Sequence, residues 1–139
     1  MTTQKSAAGE DFADFFRALS DPLRVRIFHL LLTANKKLCV CELVDALKVP
    51  QYQVSRHMAI LKRSGLVESH REGTWIYHAA VCPPQWSQGF HESLAGILAA
   101  SPSLQDDHEQ LQARLSLRQN GRCVIGMNNT DQAAAADQS

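Results

Sequence analysis

Four cysteines are the residues best equipped for chemistry in this chain: Cys39, Cys41, Cys82 and Cys123. Thiolates are soft donors, and soft ions favour sulfur. Cys39 and Cys41 are one residue apart in the run Leu38-Cys39-Val40-Cys41-Glu42-Leu43. In a regular helix, positions i and i+2 point roughly 200° apart, whereas in an extended segment they share a face. Both thiols therefore reach one ion only if the segment is extended or the helix is locally unwound. In either case a bound ion would fix or distort the backbone at the start of the helix that follows. Buried free cysteine is also a common small core residue, and a Cys-X-Cys pair is what raises a ligand role above that reading. The chain has no Cys-X-X-Cys unit, which disfavours a zinc ribbon, and no thioredoxin-like βαβ pattern, which disfavours a thiol reductase.

Periodicity supplies the elements that must position these thiols. Phe12, Phe15, Phe16 and Leu19 fall at helical spacing. Ser20-Asp21-Pro22 stops that helix and starts another, with Asp21 able to cap and Pro22 suited to the first helical position; Leu23, Ile27, Leu30 and Leu31 continue it. Leu38 to Leu47 opens strand-like and continues as a short helix. Val49-Pro50 forces a turn, because proline disfavours the α region in the preceding residue. Gln51 to Lys62 is a helix with Val54, Met58 and Leu61 inward, ended by Gly65. Two strands follow, Leu66–Ser69 and Thr74–Ala79, linked by His70-Arg71-Glu72-Gly73. Trp86, Phe90, Leu94, Ile97 and Leu98 form a long apolar helix stripe, and Leu104 to Leu117 reads as a last helix. The fold class expected is mainly α with a small β-hairpin: a homodimeric winged helix-turn-helix.

Within that fold, Gln51–Lys62 is the candidate reading helix. Gln51, Tyr52, Gln53, Ser55, Arg56 and Lys62 lie on or near its outer faces. Glutamine and arginine read adenine and guanine edges in the major groove, while Ser55 and Lys62 suit phosphates. Arg71 sits where a wing could reach the DNA backbone or minor groove. For any one of these side chains a solvated helix face is an equally good account; the whole pattern is what points to double-stranded DNA. His57, beside the inward stripe, reads as a packing or capping residue.

The stretches Ala18-Leu19-Ser20-Asp21-Pro22-Leu23-Arg24-Val25-Arg26-Ile27, Leu38–Leu43, Gln53–Leu61, Ser64-Gly65-Leu66-Val67 and Gly73-Thr74-Trp75-Ile76-Tyr77 resemble, in order, the arsenic-repressor family of the ArsR/SmtB type. The resemblance runs from about Phe12 to Tyr77. It implies a homodimer, operator binding without inducer and release on metal binding. Arsenic-type members often carry a third cysteine three residues after the second; here that position is Val44. Trivalent arsenic prefers three thiolates, so a third must come from elsewhere. Cys123 is preferred: Asn120-Gly121-Arg122-Cys123 reads as a flexible stretch that could fold over the pair, with Arg122 favouring the thiolate. Cys82, after the second wing strand, is the rival and reads more simply as a thiol at a strand end. The metal set is thus Cys39, Cys41 and Cys123, with trivalent arsenic or antimony as inducer and no cofactor in the DNA-bound state. Alternatives are a cadmium, lead or zinc sensor of the same fold and a thiol-redox regulator. Zinc-sensing relatives place histidine and acidic ligands across the dimer helix, which Asp106, Asp107, His108 and Glu109 loosely suggest; no second histidine follows at helical spacing, so these read as a solvated helix start.

The dimer interface is assigned to Phe12 and Phe16 with Trp86, Phe90, Leu94, Ile97 and Leu98, a stripe too apolar for a solvent face on a small domain. The domain plan is a flexible arm over 1–10, a DNA-binding and dimerisation domain over 11–101, a helical extension with Cys123 over 102–125 and a disordered tail over 126–139. The 139 residues carry zero formal net charge, so any attraction to DNA must come from a local basic face. No apolar run approaches the roughly 18 residues of a membrane span, and the polar start is unlike a secretory signal; a cytoplasmic location with reduced thiols is expected. His91-Glu92 opens like a zinc-protease helix motif, but Ala95 stands where its second histidine belongs. No nucleotide loop or nucleophile triad is visible, so no enzyme is expected.

Overall fold

A computed structural model of the chain describes residues 10–84 and 86–127. Residues 1–9 of the expected arm and 128–139 of the expected tail lie outside the described residues.

Helix α1 (Glu10–Ala18) turns Phe15 and Ala18 inward. Helix α2 (Pro22–Ala34) starts where Asp21 accepts backbone N–H bonds from Leu23 and Arg24 at 3.0 and 3.1 Å, with Pro22 pre-set for the first turn. It ends at Asn35, in the left-handed conformation with φ 55°. A two-residue strand β1 (Leu38–Cys39) leads into α3 (Val40–Leu47). Lys48, also left-handed, and Pro50 then turn the chain into α4 (Gln51–Arg63), whose Val54, Met58 and Leu61 are buried as expected.

Strands β2 (Val67–Glu72) and β3 (Trp75–Ala80) form the hairpin. Its turn is shorter than expected. Gly73 and Thr74 make it, with Gly73 at φ 65°, where a side chain would be strained, and Arg71 belongs to β2 opposite Ile76. The sheet also has a third strand, because β1 pairs antiparallel with β3 in the order β1-β3-β2. The register places Leu38 opposite His78 and Cys39 opposite Tyr77.

Helix α5 (Gln88–Ala99) is capped by Ser87, whose Oγ accepts from the Phe90 N–H at 3.1 Å. This cap corrects the expected stripe. Trp86 precedes the helix and is buried inside the subunit, its ring 5.3 Å from Phe15 and 4.9 Å from Phe90. Helix α6 (Pro102–Leu115) sends Leu104, Leu111 and Leu115 inward, and the last two join one core with α2, α3 and α4. Asp107 is another correction. It is not solvated but buried, and it accepts both Nε and Nη2 of Arg26, at 2.8 and 2.9 Å. No described helix is long and apolar enough to cross a membrane.

Candidate functional site

The site forms where the chain changes from strand to helix. Cys39 closes β1 and caps α3 with an extended backbone, φ −91° and ψ 160°. Cys41 is already the second residue of α3. The conformational change between them turns to one side two thiols that a continuous helix would have pointed apart. Cys123 completes the group: the ligand atoms of Cys39, Cys41 and Cys123 all lie within 4.8 Å of one another, and all three residues are buried. Among the described residues this is the one cluster of three or more metal-ligating side chains. Cys82 is not part of it; its Sγ faces the carbonyls of Pro83 and Trp86.

The segment carrying Cys123 is not a slack tail. Asn120 and Gly121 both have positive φ, 56° and 73°, and the backbones of Gln119 and Arg122 exchange two hydrogen bonds of 3.0 Å. This is a two-residue Asn-Gly turn of the primed, hairpin kind. It aims the following residue at the thiol pair, where the Cys123 N–H donates to the Tyr77 hydroxyl at 2.9 Å. Tyr77 stands opposite Cys39 in the sheet, so the β1–β3 register sets both ends of the site.

Charged groups of α3, of the last turn of α6 and of the segment just after it surround the thiols. Glu42 is fully buried and accepts from the Cys39 N–H at 3.1 Å, closing the first turn of α3. Both its carboxylate oxygens also accept from the Arg118 guanidinium, at 2.7 Å each. Burial pushes the Glu42 carboxyl up, but Arg118 and the Cys39 N–H outweigh it and hold the group below its ordinary value. Arg114 donates to Asp45 at 2.5 Å and to the carbonyls of Ile125 and Gly126 at 2.6 and 3.1 Å. The Cys41 thiol is held down at about 7, first by its hydrogen bond with Cys39, against burial, then by Cys123 and the positive charge of Arg114. The Cys39 thiol is raised, its hydrogen bond to Cys41 leading and burial adding to it. The cation favouring the thiolate is thus Arg114, not Arg122, which is exposed. Chemically this is a pocket of three soft donors with one proton easily lost.

On α4, Gln51, Tyr52, Arg56 and Lys62 are exposed, and Gln53 and Ser55 are half-buried. Gln51 donates to Ser55 at 2.9 Å. The first turn of α4 has no acid, and its last turn carries Lys62 and Arg63. Arg71 is exposed on β2. His57 packs as expected, its Nδ1 2.9 Å from an Arg24 guanidinium nitrogen. A groove of about 770 Å³ runs between α4 and the hairpin, and Gln51, Ser55 and Lys62 share its walls with Cys39 and Cys41. The thiols and the candidate reading helix are therefore neighbours across one cleft. On α1 and α5, Phe12, Phe16, Phe90 and Ile97 are exposed, Ile97 by 69%, while Leu94 and Leu98 are half-buried.

A model of the family described as "Bacterial regulatory protein, arsR family" matches residues 21–69, from the cap of α2 into the hairpin. The chain is also 39% identical to the arsenic resistance transcriptional regulator ArsR2 of Pseudomonas putida, over 63% of this chain and 74% of the relative. This chain belongs to the arsR family of bacterial regulatory proteins. An uncharacterised HTH-type transcriptional regulator of Methanocaldococcus jannaschii is 43% identical over 52% of this chain and 80% of its own, and the matches also include a cadmium resistance regulator, CadC, of Listeria innocua. Reduced HlyU from Vibrio cholerae aligns with TM-score 0.55 and 23% identity, covering 69% of this chain and 93% of HlyU, which supports the winged-helix fold alone. An arsR-family chain is a transcriptional regulator rather than an enzyme.

Sequence reasoning missed four residues around the thiols: Glu42, Tyr77, Arg114 and Arg118. Two signals were available. Asn-Gly is a strong turn dipeptide, and Glu42 stands three residues after the helix cap, where a capping-box acid belongs.

Proposed function

We propose that this arsR-family protein is a repressor that holds an inverted-repeat operator as a cytoplasmic homodimer and releases it when trivalent arsenic or antimony binds Cys39, Cys41 and Cys123. The observation that carries the inducer is the donor set: three buried thiols within one ion's reach. The buried carboxylate of Glu42, beside the thiols, is already engaged by Arg118 and the Cys39 N–H. A trivalent, sulfur-seeking ion matches that set better than zinc, which is usually held by four ligands. The shared groove supports the coupling, because a ligand that fixes the start of α3 acts on the helix packed directly before α4.

A thiol-redox reading draws support from the 3.3 Å approach of Cys41 Sγ to Cys123 Sγ. Thiol titration of the reduced protein separates the two. Protection of three thiols by arsenite supports the proposal; protection only by an oxidant refutes it. Running the operator complex against arsenite, antimonite, cadmium and zinc in parallel ranks the inducers, and release by cadmium or zinc but not arsenite would replace arsenic with the metal that works.

A further inference from the structure

The thiol pair on α3 is built by local backbone geometry, but the third thiol is brought from 82 residues away. Something must hold its segment down. Cys123 lies on a strap, residues 119–127, that follows α6 and contributes few apolar side chains to the core: Val124 and Ile125 are exposed, and Met127 is the one residue of the strap packed against it. Polar contacts do the holding. Arg118 donates to the Gly121 carbonyl at 3.2 Å and to the Lys37 carbonyl at 2.6 Å while gripping Glu42 with its remaining donors. Its guanidinium also lies 5.6 Å from the centre of the Tyr77 ring, and Tyr77 receives the Cys123 N–H. Arg114 fastens the far side of Cys123 through the carbonyls of Ile125 and Gly126.

We propose that Arg114 and Arg118 form a clamp that docks the strap onto α3 and so delivers Cys123 to the Cys39–Cys41 pair; they are positioning residues for the third thiol. The proposal rests on the arsenic reading only for its consequence, since the docking itself is a property of the metal-free chain. The arrangement is specific to guanidinium chemistry. Arg114 lies in the last turn of α6 and Arg118 three residues beyond its end, while their acidic partners Asp45 and Glu42 are three apart on α3, a spacing that puts both acids on one helix face. Each arginine spends part of its planar fork on an acid and the rest on carbonyls, Arg114 on Ile125 and Gly126 of the strap and Arg118 on Gly121 of the strap and Lys37 before β1, which one lysine ammonium cannot span in the same way. Arg114 and Asp45 are both buried, their side chains only 5% and 7% exposed. Deleting either charge would strand the other, with a large cost to stability. Lysine is therefore the informative substitution, because it keeps the ion pair and gives up the second arm.

The test uses full-length, reduced, metal-free protein and has two readouts. The first is site-resolved alkylation by iodoacetamide, read by peptide mass. Arg114→Lys and Arg118→Lys should each raise the rate at Cys123 on the order of tenfold, as expected for a segment freed to open locally, while Cys82 keeps its wild-type rate. The second is arsenite release of operator. Each lysine variant should need about tenfold or more arsenite, within the range typical of coupling between sites. Adding the lysine change to Cys123→Ser should shift the response no further, because both act on the same ligand. Wild-type alkylation of Cys123 in the lysine variants overturns the clamp whatever arsenite does. A further shift on top of Cys123→Ser overturns it as well. If Cys123 opens as expected but arsenite releases no operator even from the wild type, the clamp stands and the arsenic reading falls.

Discussion

Cys41 Sγ lies 3.3 Å from Cys123 Sγ, joining the first turn of α3 to a strap beyond α6. Cys82, whose place in the sequence made it the rival, faces the carbonyls of Pro83 and Trp86 instead. Cys123→Ser should therefore raise the arsenite needed for operator release by about ten- to a hundredfold, and Cys82→Ser should leave it unchanged. Cys39→Ser and Cys41→Ser should repress normally and ignore arsenite, since a serine oxygen is a hard donor. Fluorescence anisotropy of labelled operator with increasing arsenite reads all four variants. A normal response from Cys123→Ser with a lost response from Cys82→Ser would reverse the assignment.

The exposed face of α4 makes a separate claim about DNA. Arg56 is exposed on that face and is not a thiol neighbour, so Arg56→Ala should lose roughly 1–3 kcal/mol at the cognate operator and keep its arsenite response. Affinity should fall steeply with salt as phosphate contacts release counterions. Half-sites should lie about one helical turn apart or a multiple of it. Unchanged operator affinity in folded Arg56→Ala would remove this helix from the interface.

Phe90 and Ile97 on α5 and Phe12 and Phe16 on α1 leave apolar side chains exposed on the single subunit. Phe90→Glu should shift the protein toward monomer in analytical ultracentrifugation and abolish operator binding. A well-folded dimer from this variant would show that the subunits meet elsewhere.

His78 gives a pH prediction that is independent of any ligand. It is buried on β3, its Nδ1 2.6 Å from the Ser69 hydroxyl, and burial pushes its pKa down to about 4, with Lys62 adding to the effect. The unfolded chain binds this proton near pH 6.5 and the folded chain does not, so the contribution to stability is whole above about pH 6.5 and is lost as pH falls toward 4. The loss amounts to about 2 kcal/mol between pH 6.5 and 5. Urea unfolding of the wild type and His78→Gln at pH 7 and pH 5 should show a smaller pH effect in the variant; equal effects would mean that His78 is protonated without cost.

The helices and hairpin were legible because their apolar spacing and caps are local signals: Asp21-Pro22, Val49-Pro50 and Gly73 each act within a few residues. The Cys39–Cys41 pair was legible for the same reason, together with its need for an extended or locally unwound backbone; that the break is a change from strand to helix came from the β1–β3 pairing. What sequence could not place was set by contacts far apart in the chain. Arg114 and Arg118 have no local signal that marks them, because their partners Asp45 and Glu42 are 69 and 76 residues away. Asp107 looked like a first-turn acid of a solvated helix, and its partner Arg26 is 81 residues away. Trp86 was misplaced because its spacing continued the α5 stripe backwards through Ser87, the residue that caps the helix.

The proposed function has one trivalent arsenic held by three thiols of this chain. X-ray absorption at the arsenic edge of the loaded protein counts those neighbours directly. Three sulfur neighbours are expected in the wild type and in Cys82→Ser, and two in Cys123→Ser. Two sulfurs in the wild type, or three in Cys123→Ser, would contradict it.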